Sequence, residues 1–155
     1  GANTKILEQT IQTHQLENIL LLPFQPRELL PLTLTACDIS LVSLIFGAEN
    51  IVAPSKLNGM LAAGRGIIAI TAPNSYIDQL LTTSGCGINT PPNKPQQLAD
   101  LIQELLQQPE KVRIMGEKAR QLYESRYRFE RALKEYEQLL FEESIYPQQI
   151  IEHAG

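Results

Sequence analysis

The sequence of 155 residues has no tryptophan, two cysteines and two histidines. Cys37 and Cys86 are far apart and form no CxxC, which argues against a disulfide framework or a thiolate zinc site and suits a reducing compartment. His14 and His153 are too few for a multi-histidine metal centre. No apolar run approaches the ~20 residues of a membrane span. The start has neither the basic segment nor the apolar core of a secretory leader, so none is expected. Basic charge is in short supply: 13 Lys and Arg face 17 Asp and Glu, a net −4. A nucleic-acid partner is therefore not expected. Neither GxxxxGK[ST] nor GxGxxG occurs, and Gly85-Cys86-Gly87 reads as a turn into a strand.

What is present fits one globular domain. Apolar residues make up 43% and charged residues 19%, too apolar for a disordered chain. Residues 109–143 hold eight of the basic and eight of the acidic side chains and read as solvated helix. From 50 to 77 the only charges are Lys56 and Arg65. A buried core segment has this composition, and so does a site for an anion.

Helical spacing of apolar residues predicts a helix over 4–16. The short apolar runs at 19–22, 39–45, 66–70 and 85–88 read as strands covered on both faces. Between and after them, helices are expected over 27–36, 54–63, about 75–83, 95–106, 109–127 and 129–143. Pro26 and Pro31 bracket one helix entry. Gly64 suits a helix C-terminus; either Asn74 or Ser75 can cap the helix that follows, with Asp78 at capping-box spacing from Ser75. Residues 46–53 are expected as loop and 144–155 as a tail. Strands alternating with helices imply an open parallel α/β sheet with helices on both faces, formed by a single domain over 1–143.

In such sheets ligands sit at the carboxyl ends of strands, near helix N-termini. Two places there are rich in candidates: Phe24 and Gln25 in PFQPR, and the loop FGAENIVAPSKL with Glu49, Asn50, Ser55, Lys56 and Leu57. Unpaired N–H groups and the helix dipole would favour an anion at Ser55 and Lys56, and phosphate is the natural guest. A simple cap at Ser55 and a solvated Lys56 account for the same residues, although a first-turn lysine opposes the dipole. Cys37 and Cys86 read as packed thiols. Tyr123, Tyr127, Phe129 and Tyr136 read as packing residues and surface anchors, and Arg126, Arg128 and Arg131 as members of surface ion pairs.

From residue 18 to about 127 the chain resembles the C-terminal, nucleotide-sugar-binding half of family-4 retaining glycosyltransferases of GT-B fold. The segments that carry this are NILLLPFQPRELLPLTLTACDISLVSL, VAPSKLNGMLAAGRGIIAI and GCGINTPPNKPQQLADLI. The middle one is the most specific and is similar to the branch found in bacterial polysaccharide biosynthesis. The resemblance implies a truncated, doubly wound, Rossmann-like domain of about four parallel strands. It implies donor phosphates at Ser55 and Lys56 and a nucleobase at Phe24 and Gln25. The donor is a substrate, a nucleotide diphosphate sugar, and no further cofactor or metal is implied. Two family glutamates fall on Ile51 and Gly59. The second would bind the ribose hydroxyls; Glu49 lies two residues before the first, and Gly66 replaces the usual proline. These departures bear on the ribose and sugar contacts and leave the phosphate site intact.

The family half begins with two βα units ahead of the helix that opens this sequence, and an acceptor domain precedes them. The resemblance thus implies a fragment of a cytoplasmic transferase, inactive by itself, whose parent acts peripherally at the inner face of the membrane on a glycan or lipid-linked acceptor. The strands at 19–22 and 39–45, left without the neighbours between them, can pair with each other or exchange edges between two chains, and the homodimer is the outcome expected. The alternatives are a non-catalytic remnant serving as an interaction module and a sugar-nucleotide epimerase of the same fold; the PSKL…LAAGR segment speaks against the latter.

Overall fold

A computed structural model of the protein describes residues 3–44, Gly47 and residues 54–141. The chain divides into two compact units, Gly1–Thr33 and Leu34–Gly155. The expected tail at 144–155 lies outside the described residues, as does most of the loop at 46–53.

In the first unit α1 spans Thr4–His14 and stops where Gln15 turns left-handed, φ 49°. The Leu16 N–H then reaches back to the Ile11 carbonyl at 3.0 Å, a closure of the Schellman type. A 3₁₀ turn at Arg27–Leu29 leads into α2, Leu30–Thr35, which runs into the second unit and carries Pro31 in its first turn. The strand expected at 19–22 is not formed. That run joins no ladder, and Leu20 is 79% exposed. An apolar run states a demand for burial; a strand also needs a neighbour to take its N–H and C=O groups.

The second unit alternates β1 (Ile39–Ser43), α3 (Lys56–Ala63), β2 (Gly66–Ile70), α4 (Tyr76–Ser84), β3 (Gly87–Thr90) and α5 (Pro95–Leu106). There follow α6 (Pro109–Leu122), a π-helical turn (Tyr123–Tyr127) and α7 (Phe129–Phe141). The strands form a parallel sheet in the order β1-β2-β3, with Ile39 opposite Gly66 and Ile67 opposite Gly87. The described sheet thus has three strands where about four were expected, and the helix expected to run unbroken over 109–127 gives way to the π-helical turn after Leu122.

The period-two alternation of β2 sends its side chains into two cores. Ile67 and Ala69 join Leu57, Leu61, Ile77 and Leu81 of α3 and α4, while Ile68 meets Leu105 and Met115 on the opposite face. Helix α6 serves both. Met115 packs in the second core and Ala119 in the first, so α6 passes from one face to the other beneath the amino ends of the strands. Gly116 makes the crossing possible: a Cβ there would stand 2.4 Å from the Gly64 carbonyl oxygen. Gly64 itself ends α3 in the left-handed region, φ 66°, a conformation that glycine adopts without strain.

Candidate functional site

The carboxyl edge of the sheet is built from the ends of β1, β2 and β3 and from the starts of α3 and α4. Thr71 follows β2 directly and is fully buried. Its backbone N–H and its hydroxyl both donate to Asn89 Oδ1, at 3.1 and 3.0 Å, and Asn89 Nδ2 returns a bond to the Thr71 carbonyl at 3.2 Å. The Thr71 proton being used on Asn89, Ser75 Oγ is the donor to Thr71 Oγ1 at 2.8 Å. Ser75 Oγ in turn accepts the Asp78 N–H at 3.2 Å, the cap that the Ser75 and Asp78 spacing predicts. The Asp78 carboxylate takes the Asn74 N–H at 2.7 Å rather than that of Ser75. A fully satisfied buried network of this kind makes the edge rigid.

At the start of α3, Ser55 has helical backbone angles and its hydroxyl makes no capping bond. The reading of Ser55 as a simple side-chain cap is thereby corrected. Once the backbone at that position turns helical, the hydroxyl no longer reaches the N–H groups ahead of it. Ser55 and Lys56 are both exposed, and their side chains make no hydrogen bond or ion pair among the described residues. Leu57 differs: its side chain is 4% exposed in the first core and its N–H donates to the Pro54 carbonyl at 3.0 Å. The leucine expected beside a ligand is a core residue, because a helix starting at the sheet edge turns its second residue inward. Gly59 lies half-buried, with Leu34 Cδ1 3.1 Å from where a Cβ would stand.

The other expected contacts fall elsewhere. Glu49 and Asn50 lie outside the described residues. Phe24 and Gln25 belong to the first unit, where Phe24 is 97% exposed and Gln25 Nε2 donates to the Pro23 carbonyl at 2.9 Å. Reasoning from sequence missed a pair of phenols at the carboxyl edge. The hydroxyls of Tyr76, first residue of α4, and Tyr127, last of the π-helical turn, lie 2.9 Å apart. Burial, then the bond to Tyr76, push the Tyr127 hydroxyl up to about 12. A tyrosine 51 residues away along the chain leaves no local signal of such a partner.

A cleft of about 810 Å³ opens at the opposite, amino edge, beside Asp38, Arg65, Gly66 and Arg120. Its guanidinium groups are largely engaged, although Arg65 Nε is buried without a partner among the described residues. Arg65 donates to the Thr35 carbonyl and Arg120 to the Ala62 carbonyl, both at 2.6 Å, and Arg113 is held by Glu110 and Glu117. Cations on the last carbonyls of α2 and α3 offset the negative helix ends. We therefore assign that cleft to the joining of helices and the candidate site to the carboxyl edge.

Comparison with known proteins agrees with this architecture. Over 72 residues the chain is 39% identical to a protein named probable glycosyltransferase WbjE from Pseudomonas aeruginosa. The stretch is 46% of this chain and 18% of that relative, so the chain matches only a small part of the longer protein. No solved structure matches. Residues 1–122 match the family model of glycosyl transferases group 1, and with that parallel, Rossmann-like α/β sheet this chain belongs to the glycosyl transferases group 1 family.

Proposed function

We propose that this chain is the donor-binding part of a retaining glycosyltransferase, which moves a sugar from a nucleotide diphosphate to a glycan or lipid-linked acceptor. The observation that carries the reading is the start of α3. An exposed hydroxyl and an exposed ammonium stand there, without partners among the described residues, at the carboxyl edge of a parallel sheet. The first N–H groups of the helix and its dipole add to the attraction for an anion. In sugar transfer, negative charge builds on the leaving diphosphate, and fixed donors aimed at that charge lower the barrier. Ser55 and Lys56 supply such donors. Neither supplies a base, and in this reading the chemistry of these residues is electrostatic.

The finer features follow the same reading: a family-4 enzyme, the C-terminal half of a GT-B pair, and a role in bacterial polysaccharide synthesis. Among the described residues no helix is long and apolar enough to cross a membrane. Work at the inner face of the membrane would then rest on peripheral contact.

Calorimetric titration of the protein with uridine, guanosine, adenosine and thymidine diphosphates tests the proposal. At least one should bind saturably and lose affinity in Lys56→Ala. Absence of saturable binding by all four would sink it.

A further inference from the structure

We infer that two copies of this chain assemble by exchanging strands, the apolar run at 19–22 of each copy adding to the open edge of β1 in the other. This is an interaction surface, and it stands apart from the donor-site reading above.

One hydrogen bond sets the direction of the backbone groups in β1. The Leu44 N–H donates to the Ile70 carbonyl at 3.2 Å, so Leu44 faces β2. Successive residues of a strand turn their N–H and C=O groups to opposite sides. Ser40 and Val42 therefore also face β2, while Ile39, Leu41 and Ser43 face outwards. β2 keeps the same alternation: the Ile67 N–H goes to the Cys86 carbonyl at 3.2 Å, on its β3 side. β1 ends the described sheet, and no described strand takes its outward groups. The side chains at this edge are open on one face as well. Ser40 and Val42 are buried, Val42 in the first core, whereas Leu41 points to the other face and is half exposed.

The same chain carries a segment with the complementary need. Ile19, Leu20, Leu21 and Leu22 are all exposed, and among the described residues their backbone groups make no hydrogen bond. Added beside β1, such a run takes up the outward groups of Ile39, Leu41 and Ser43, and its alternate side chains lie next to Leu41 on the open face. Neither partner brings a charge to the new ladder. The run belongs to the compact unit Gly1–Thr33 and the edge to the unit Leu34–Gly155, so the first unit can be exchanged as a body, still joined through α2. A one-way exchange leaves a run and an edge open at the two ends of each pair and grows into a chain. The reciprocal exchange closes, because each copy gives one run and receives one on the same surface. It satisfies both edges with two copies.

Light scattering of the 155-residue protein at high concentration should give twice the 17.3 kDa of one chain. Leu20→Lys puts a charge into the run at a position 79% exposed. It should return the mass to that of one chain and leave the far-UV circular dichroism as in the wild type. NMR on a mixture of isotopically labelled and unlabelled wild-type chains then identifies the contact without any substitution. Nuclear Overhauser effects should connect 19–22 of one copy to Leu41 of the other, and the amides of Ile39, Leu41 and Ser43 should exchange slowly with solvent. A wild type that keeps the mass of one chain overturns the inference. A folded Leu20→Lys that still doubles its mass does so too, since another surface then joins the copies. Effects from 19–22 to Leu41 found only within one chain overturn it as well, because the chain has then closed its own edge.

Discussion

The Arg120 guanidinium donates to the Ala62 carbonyl at 2.6 Å and ties the end of α3 to a helix 58 residues further along the chain. The same side chain lies 5.5 Å from the Tyr123 ring centre and pairs with Glu124. One arginine thus holds the amino-edge end of α3, while the opposite end of that helix presents Ser55 and Lys56. Fixing the far end of a short helix limits the ways in which its first turn can tilt, and so helps to set the donor groups in place.

Two helical glycines should respond in opposite ways to alanine. Either change gains roughly 1 kcal/mol of helix propensity. At Gly116 the new Cβ meets a backbone carbonyl oxygen at 2.4 Å, and the helix must move away from its crossing. We expect a net loss of about 1–3 kcal/mol. At Gly59 the neighbour is the tip of the half-buried Leu34 at 3.1 Å, which can rotate aside. Gly59→Ala should be neutral or stabilising by up to about 1 kcal/mol. Urea unfolding of both variants checks this, and equal effects would contradict it.

Lys56→Ala should weaken binding of the preferred nucleoside diphosphate. A charge-assisted bond to phosphate is worth about 1.5–3 kcal/mol, which is roughly 10- to 150-fold in dissociation constant. Stability should hardly change, because the ammonium is exposed and burial of Leu57 holds that turn. An unchanged dissociation constant by calorimetry would make Lys56 a solvated helix residue.

Tyr127 gives a signature at alkaline pH. Its hydroxyl is pushed up to about 12 in the fold, by burial first and by Tyr76 second. An unfolded tyrosine titrates near 10. The fold therefore favours the neutral phenol, and the stability gained is whole below about pH 10 and lost as pH rises through about 12. In an absorbance titration one of the five tyrosines should ionise late, and Tyr127→Phe should remove that step. Simultaneous ionisation of all five would mean that the phenol pair does not persist in solution.

Self-association is the remaining expectation. β1 lies at one side of the described sheet, with Leu41 half exposed, and the apolar run at 19–22 has no ladder. Neither segment has a lysine or proline to discourage pairing, and open edges of this kind take up strands from other chains. Light scattering at high concentration should report more than the 17.3 kDa of one chain. A Leu41→Lys variant should return it to that mass. A wild-type protein that stays at the mass of one chain would refute the proposal.

Much of the α/β order could be read directly. GIIAI is apolar throughout and became β2, the strand between two others; Gly64 ended α3; Ser75 capped α4 through Asp78. These features depend on neighbours a few residues away, and spacing encodes them. The run at 19–22 looked equally strand-like and formed none, because ladder partners are distant in sequence. The same distance hid the bond between Tyr76 and Tyr127 and the contact of Gly116 with Gly64.

The sequence by itself determined the alternation of strands and helices over 39–106, the glycine that ends α3, the cap of α4, and that Ser55 and Lys56 open a helix near the end of a strand. Local sterics, capping chemistry and apolar periodicity are enough for that. The tertiary structure decided that Ser55 does not cap its helix, that Leu57 is a core residue, and that α6 crosses beneath the sheet and carries its π-helical turn back up along α3. Those outcomes follow from burial and from hydrogen bonds between segments tens of residues apart, and such partners meet only once the sheet has brought them together.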